Sequence, residues 1–499
     1  MSPKSWNRRE VLQRSARAAI GSALATLADS CRRAHSPARL QPLEDERFAF
    51  IVTTERNPWQ KAQVFKPAFS WTMLNLNVDL PEKQDLNRAS IQGFGACFNE
   101  LGWTSLQQLS SDDRQSVLRE LFDPVVGARF SYCRMPIGAN DFSTEAYSYD
   151  EQDGDFALQH FSIDHDRRTL IPFIHAAQQY QPRLRLWASP WTPPSWMKRN
   201  HFYAEAKGGQ KDNGIRPDQI GHEGEDMFVQ EPRYLEAYAR YFGSFIDAYR
   251  AEGIRVGMVM PQNEFNSAQN FPSCTWTPEG LVRFLRYLGP EMSKRDVELF
   301  LGTIERGNPK LVETVMADKD AAQYVKGLGI QWAGKNALPA LHSEFPQLLV
   351  FQSEQECGDG KNAWSYAGYT WQLMKHYLRS GAGGYMYWNI SLLQGQPSTW
   401  GWPQNSLVTV DRAANSFKYT HDYFVFKHLT HFVDVGAMLL QTSGTCDDAL
   451  GFRNPDGTLV LLVRNELAHS QQVQIQAGER EAVIELPPDS VGTVTIGTA

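Results

Sequence analysis

The chain has 499 residues, of which 42% are hydrophobic and 21% charged, and a formal net charge of −7 at pH 7. That length exceeds one small core and suits two domains or a large barrel with an appendage. The acidic balance, with no basic stripe, excludes nucleic acid as the main partner, while 14 Trp suit the flat faces of sugars as well as a core.

The first segment, MSPKSWNRREVLQRSARAAIGSALATLADSC, carries Arg8-Arg9 before Glu10-Val11-Leu12 and then a weakly apolar, alanine-rich stretch. It reads as a twin-arginine export signal, so residues 1–40 are set apart as signal and linker, and a periplasmic or extracellular protein is expected. Arg14 and Arg17 interrupt the stretch, which is too short to span a membrane. Cys31 stands where a lipid-modified cysteine would stand, although Ala28-Asp29-Ser30 matches such a site poorly; a lipid anchor at Cys31 is the alternative to a freely released protein. None of the six cysteines forms a CxxC pair or a cluster with His at metal-ligand spacing, so no metal, no cofactor and no essential disulfide are expected. Cys97 and Cys133 lie in apolar runs and read as buried free thiols.

Within residues 41–88, FAFIVTTE (48–55) and the region 71–80 read as strands that join the sheets at the far end of the chain. Eight strand-like runs then follow, at 90–98, 128–138, 184–191, 256–264, 298–305, 327–334, 348–356 and 383–391. Helical stretches with apolar residues at i, i+3, i+4 lie between most of them, for example 234–253 and 364–381, each closed by a glycine (Gly253, Gly381). The link between the sixth and seventh strands leaves room only for a small helix. This alternation predicts a (β/α)8 TIM barrel over residues 89–430. The rival, a doubly wound sheet that binds a nucleotide, lacks its GxGxxG: the first strand offers only Gly93 and Gly95. Beyond residue 430 the pattern changes to short period-2 runs separated by turns such as Asn454-Pro455-Asp456-Gly457, which predicts a small β-sandwich over 431–499.

In such a barrel the C-terminal strand ends build the active site. Read in order, those ends carry Asn99-Glu100, then Arg134 with Asn140-Asp141, then Ser189-Pro190-Trp191, Gln262-Asn263-Glu264, Glu354, and Trp388-Asn389. Two carboxylates therefore face one pocket from the fourth and seventh strands, the arrangement a retaining glycosidase needs. Position alone does not separate Glu354 from Glu356, because residues two apart on a strand share a face.

Six motifs together resemble glycoside hydrolase family 30: GFGACFNE (93–100), CRMPIGANDFS (133–143), ASPWTPPSWMK (188–198), MPQNEF (260–265), QSEQECG (352–358) and YWNISL (387–392). The resemblance spans roughly residues 45–495. It implies a glucosylceramidase-like or β-1,6-glucanase-like enzyme that acts on a β-glycoside or β-glucan. By that resemblance Glu264 is the acid/base, Glu354 the nucleophile, and Asn263 the partner of the sugar 2-hydroxyl. Asp141 and Trp191 match positions that hold the terminal sugar, and Trp388 and Asn389 match a platform beneath it. Arg134 matches a buried support of the nucleophile, and Glu356 is left as a supporting or subsite residue. His201 and Tyr203 are candidates for outer subsites or ordinary loop residues. One departure stands out: where glucosylceramidases end the sixth strand in a His-Trp-Tyr-like segment whose Tyr contacts the nucleophile, this chain has Gln331-Trp332-Ala333. Another group must then orient Glu354, and the leaving-group side is expected to differ. Xylosides, fucosides and galactans of the same family, and a non-catalytic carbohydrate-binding barrel, are the alternative readings.

Overall fold

A computed structural model describes residues 40–68, 70–80 and 90–498; the expected export signal and Cys31 lie outside them. Eight parallel strands close into a barrel in sequence order. They are β1 (Gly93–Cys97), β2 (Tyr132–Pro136), β3 (Arg185–Ser189), β4 (Val256–Val259), β5 (Glu298–Ile304), β6 (Val325–Gln331), β7 (Leu349–Glu354) and β8 (Ala382–Asn389). Each falls within or beside one of the eight apolar runs, and β6 begins two residues earlier than expected. The helices Pro232–Ala251 and Trp364–Arg379 end as the sequence predicts, at Gly253 and Gly381 with φ of 78° and 94°, values that only glycine adopts without strain. The helix between β6 and β7, Leu338–Glu344, is short.

The barrel interior is filled, not hollow. Tyr132, Trp187, Met258, Met260, Phe300, Phe351 and Met386 form a separate buried cluster drawn from six strands or their ends, each side chain contributing about 1.5–3 kcal/mol by burial. Gly329 makes room for Met260: a Cβ there would meet its sulfur at 2.2 Å. Two residues further along the same strands come Arg134, Ser189, Ser353 and Trp388, which therefore face the same way and form the layer above.

The β-sandwich combines strands that precede the barrel with strands that follow it. Phe48–Thr54 pairs antiparallel with Ser490–Ile496 in a six-stranded sheet, and Leu74–Val78 pairs parallel with Gln471–Ala477 in a five-stranded one. The two helices nearest the sandwich tie it to the barrel. Trp364 and Trp371 donate their indole N–H groups to Asp489 and Asp448, both at 2.8 Å. His428, on the helix His421–Thr430, reaches both terminal strands: its ring nitrogens lie 2.9 Å from Thr53 Oγ1 and 2.8 Å from Thr493 Oγ1. The five described cysteines, Cys97, Cys133, Cys274, Cys357 and Cys446, are buried free thiols. Among the described residues no helix is long and apolar enough to cross a membrane.

Burial, followed by the charge of Lys427, pushes the His428 imidazole down to about 3. An unfolded chain takes up that proton near 6.5. The stability this group contributes is therefore complete above that pH and declines as pH falls, by up to about 1.4 kcal/mol per unit. Chemical denaturation of His428→Gln between pH 7 and 4 is expected to show a shallower loss than the wild type; parallel curves refute this account.

Candidate active site

Arg134, on β2, lies at the centre of the barrel mouth with no exposed surface. Its Nη1 donates to Glu354 Oε2 at 2.5 Å, and its Nη2 donates to Asn263 Oδ1 at 2.7 Å and Ser189 Oγ at 2.9 Å. The guanidinium carbon is 4.8, 4.3 and 5.5 Å from the ring centroids of Trp187, Trp191 and Trp388. The charge is thus enclosed by indoles, which attract cations and exclude water.

Glu354 is the last residue of β7 and holds the rigid end of a strand. Glu264 is placed differently from the sequence reading. β4 stops at Val259, so Glu264 stands five residues beyond the strand, not at its end. Its φ of 47° is left-handed, which is uncommon for a residue with a side chain. Thr303 holds it there: Thr303 Oγ1 accepts from the Glu264 backbone N–H at 2.8 Å and donates to Asn263 Oδ1 at 3.1 Å.

Gln331, at the end of β6, is the group that sequence reasoning missed. Its Nε2 approaches Glu264 Oε1 at 3.1 Å and Glu354 Oε2 at 3.4 Å, while its Oε1 accepts from Ser353 Oγ at 2.9 Å. One amide nitrogen thus spans the two carboxylates. Glu264 Oε1 and Glu354 Oε2 therefore stand no further apart than those two distances laid end to end. The signal was the departure at Ala333: an orienting group had to come from elsewhere, and Gln331 supplies it from two residues earlier.

Asn263 uses its oxygen on Arg134 and Thr303, and among the described residues its Nδ2 has no partner. Asp141 is buried, and among the described residues its Oδ1 has no hydrogen-bond partner. These two groups and Trp191 line a cavity of about 450 Å³ together with Glu264 and Glu354. Glu305, just past β5, lines the same cavity and was not singled out from sequence.

Three expected site residues are placed elsewhere. Trp388 has no exposed surface and does not line the cavity; it packs behind Trp191, ring centroids 5.3 Å apart, so it supports the wall and does not form the platform expected of it. Asn389 is also fully buried; it accepts from Asn99 Nδ2 at 3.0 Å and donates to Gln404 and Asn405, which leaves it no free group for a ligand. Glu356 lies beyond the end of β7 and turns away, to Lys335 Nζ at 2.6 Å and Tyr369 OH at 2.7 Å. Tyr203 meets Trp400 in the outer loops, His201 is exposed, and neither lines the cavity.

Burial raises both Glu264 and Glu354 above the ordinary carboxylate range, Glu354 to about 7. What opposes burial differs. Glu354 touches the Arg134 cation; Glu264 meets only amides directly and feels Arg134 and Arg306 from a distance. Direct contact with a cation favours the ionised form of Glu354, a help that Glu264 lacks. Burial and then the charges of Glu354 and Glu264 push Asp141 well upward as well. Among the described residues no group of His, Cys, Asp and Glu is arranged to hold a metal ion.

The chain matches the glycosyl hydrolase family 30 TIM-barrel domain over residues 91–433 and that family's β-sandwich domain over residues 441–494. It is 28% identical to putative glucosylceramidase 1 of Caenorhabditis elegans over 459 residues, 85% of this chain and 84% of that one. It is 26% identical to the endo-1,6-β-D-glucanase neg1 of Aspergillus fumigatus over 415 residues, 78% of this chain and 81% of that one. The structure of SrfJ from Salmonella typhimurium shares the fold, with a TM-score of 0.76, 22% identity, and coverage of 91% of this chain and all of that one.

Removing Arg134 leaves the Glu354 charge buried without its cation. Arg134→Met is expected to lose about 3–5 kcal/mol of stability, and adding Glu354→Gln to recover part of it. Urea unfolding of the single and double variants checks this; a double variant no more stable than the single one contradicts it.

Proposed function

The chain belongs to glycosyl hydrolase family 30 and is a glycosyl hydrolase, and from that premise we propose that it is a retaining β-glycosidase acting on β-linked glucosyl groups. The observation that carries the reading is the spacing of its two carboxylates. A retaining enzyme holds them about 5–5.5 Å apart, whereas an inverting one leaves room for a water between them. A pair spanned by a single amide nitrogen, at 3.1 and 3.4 Å, suits the retaining spacing.

In this mechanism Glu354, whose ionised form Arg134 favours by direct contact, attacks the anomeric carbon while Glu264 donates its proton to the departing oxygen. The glycosyl–enzyme ester removes the charge of Glu354. Glu264 then loses its proton more readily and acts as base toward water. Asn263 Nδ2 and Asp141 Oδ1, both without partners among the described residues, are suited to the hydroxyls of the terminal sugar, with Trp191 as its wall. Glucosylceramidases and endo-1,6-β-glucanases among the relatives support glucose as the sugar. The twin-arginine-type segment and the secreted character expected of a β-glucan-degrading enzyme support export.

Glu354→Gln is expected to abolish turnover of an aryl β-D-glucoside, and azide to restore part of it in Glu354→Gly as a glycosyl azide. Glu264→Gln is expected to cost about 10²–10⁴-fold on substrates with poor leaving groups and to remove the alkaline limb of the pH profile. That limb marks loss of the proton from a carboxyl raised by burial. Wild-type turnover in either Gln variant would sink the assignment. Gln331→Ala, which leaves the pair without its bridge, should lower kcat about 10–100-fold with little change in KM, the range for groups that orient others in a site. An unchanged kcat would mean that the bridge does not matter.

A further inference from the structure

The cavity does not stop at the two glutamates. Past Glu264 it continues over the ends of β5 and β6, where Glu305, Arg306 and Trp332 join Ser267 and Gln269. A proton donor faces the departing oxygen, so this half holds whatever leaves.

Glu305 is anchored on one side only. It is 1% exposed. Its Oε1 accepts from the Asn266 backbone N–H at 2.9 Å and from Ser267 Oγ at 2.8 Å. Among the described residues its Oε2 has only the Asn266 side-chain amide, at 3.4 Å. Arg306 does not close the gap: it stands 3.7 Å from Oε1 and gives its two good hydrogen bonds to Glu223, at 3.0 and 3.1 Å. Burial, and then the charge of Glu264, pushes this carboxyl up to about 7, and a carboxyl oxygen left without a partner in a buried place is costly whether or not it is charged. Beside it Trp332 is 37% exposed, with φ of 48°, and presents an indole at the rim. Ala333, next in the chain, also lines the cavity and adds almost no side chain.

We propose that Glu305 accepts hydroxyl hydrogen bonds from a leaving group that is itself a sugar, and so selects a glycosyl leaving group over a lipid one. The proposal rests on the β-glycosidase reading, with Glu264 as proton donor. A sugar brings hydroxyl donors to Oε2 and an apolar C–H face to Trp332. A sphingoid leaving group brings mostly methylenes against a carboxylate, a guanidinium and an amide, and leaves those groups desolvated without partners. The substrate class is therefore a β-linked gluco-oligosaccharide or glucan.

The test compares kcat/KM for the wild type, Glu305→Ala and Glu305→Gln on p-nitrophenyl β-D-glucoside, on a β-1,6-linked glucose disaccharide and on glucosylceramide in mixed micelles. Glu305→Ala should lower the disaccharide value about 10–100-fold, the range for a buried hydrogen-bonding group left without its partner, and change the aryl value less than about threefold. Glu305→Gln, which keeps an acceptor oxygen, should fall between. If the alanine variant lacks a cooperative melting transition, the isosteric Gln variant decides the comparison. Equal losses on disaccharide and aryl glycoside, no loss on either, or wild-type preference for glucosylceramide overturns the proposal while leaving the glycosidase reading intact. A wild type that cleaves none of the three β-glucosides overturns both.

Discussion

The site depends on one buried cation. Asp141, Glu264, Glu305 and Glu354 all line a single cavity, and negative charge gathered out of water neutralises itself unless something compensates it. Arg134 is that compensation, and it acts through direct contact with Glu354 alone among the four. Three indoles around the guanidinium keep water from screening it, which strengthens its pull on the neighbouring carboxylate. The asymmetry between the two catalytic candidates follows from this contact, for their burial is otherwise alike. The same side chain fixes geometry as well as charge. By bonding to Ser189, Asn263 and Glu354 it ties together β3, the turn after β4 and β7.

The barrel makes that contact reproducible. Tyr132, Trp187, Phe351 and Met386 fill the interior one layer below, so the strands cannot close inward and the layer that holds Arg134 is set at a fixed height. Gln331 reaches the carboxylates because the pairing of β6 with β7 shifts register between Ile330 and Gln331, which brings Gln331 opposite Glu354. Such an irregularity re-aims one side chain without disturbing the rest of the ladder. Glu264 is brought in by another irregularity, its left-handed backbone, held by a threonine from the neighbouring strand. The two glutamates thus arrive by different routes, one on a regular strand end and one on a strained turn.

That difference explains what could be read from the sequence. The eight strands and the sandwich were legible because burial imposes periodicity, and a carboxylate ending a buried strand stood out, although the choice of Glu354 over Glu356 rested on the family resemblance. Gln331 was not, because a shift of register leaves no trace in hydrophobic pattern. Nor was Glu305, which closes the run ELFLGTIE and reads as the polar end of a strand. Trp388 and Asn389 appeared to face the pocket because they sit at a strand end. What removes them is the bulk of Trp191 in front of one and the hydrogen bonds of Asn99, Gln404 and Asn405 around the other, neither of which is a property of local sequence. Glu356 shares the parity of Glu354, but the strand ends between them, and parity no longer applies.

The loss of an aromatic hydroxyl at Ala333 and the bridging by Gln331 are two sides of one arrangement. An orienting group placed on the loop after β6 would occupy the wall that any leaving group must pass. When the group is drawn back to the strand end, it orients the pair from beneath, through an amide whose oxygen is already held by Ser353. The wall past Glu264 is then left to Ala333, which adds little, and to Trp332 and Glu305, which offer a face and an acceptor. Positioning of the carboxylates and recognition of the departing group therefore fall to different residues. The hydrogen bonds of Glu305 reach Asn266 and Ser267 and not Arg134, Glu354 or Gln331.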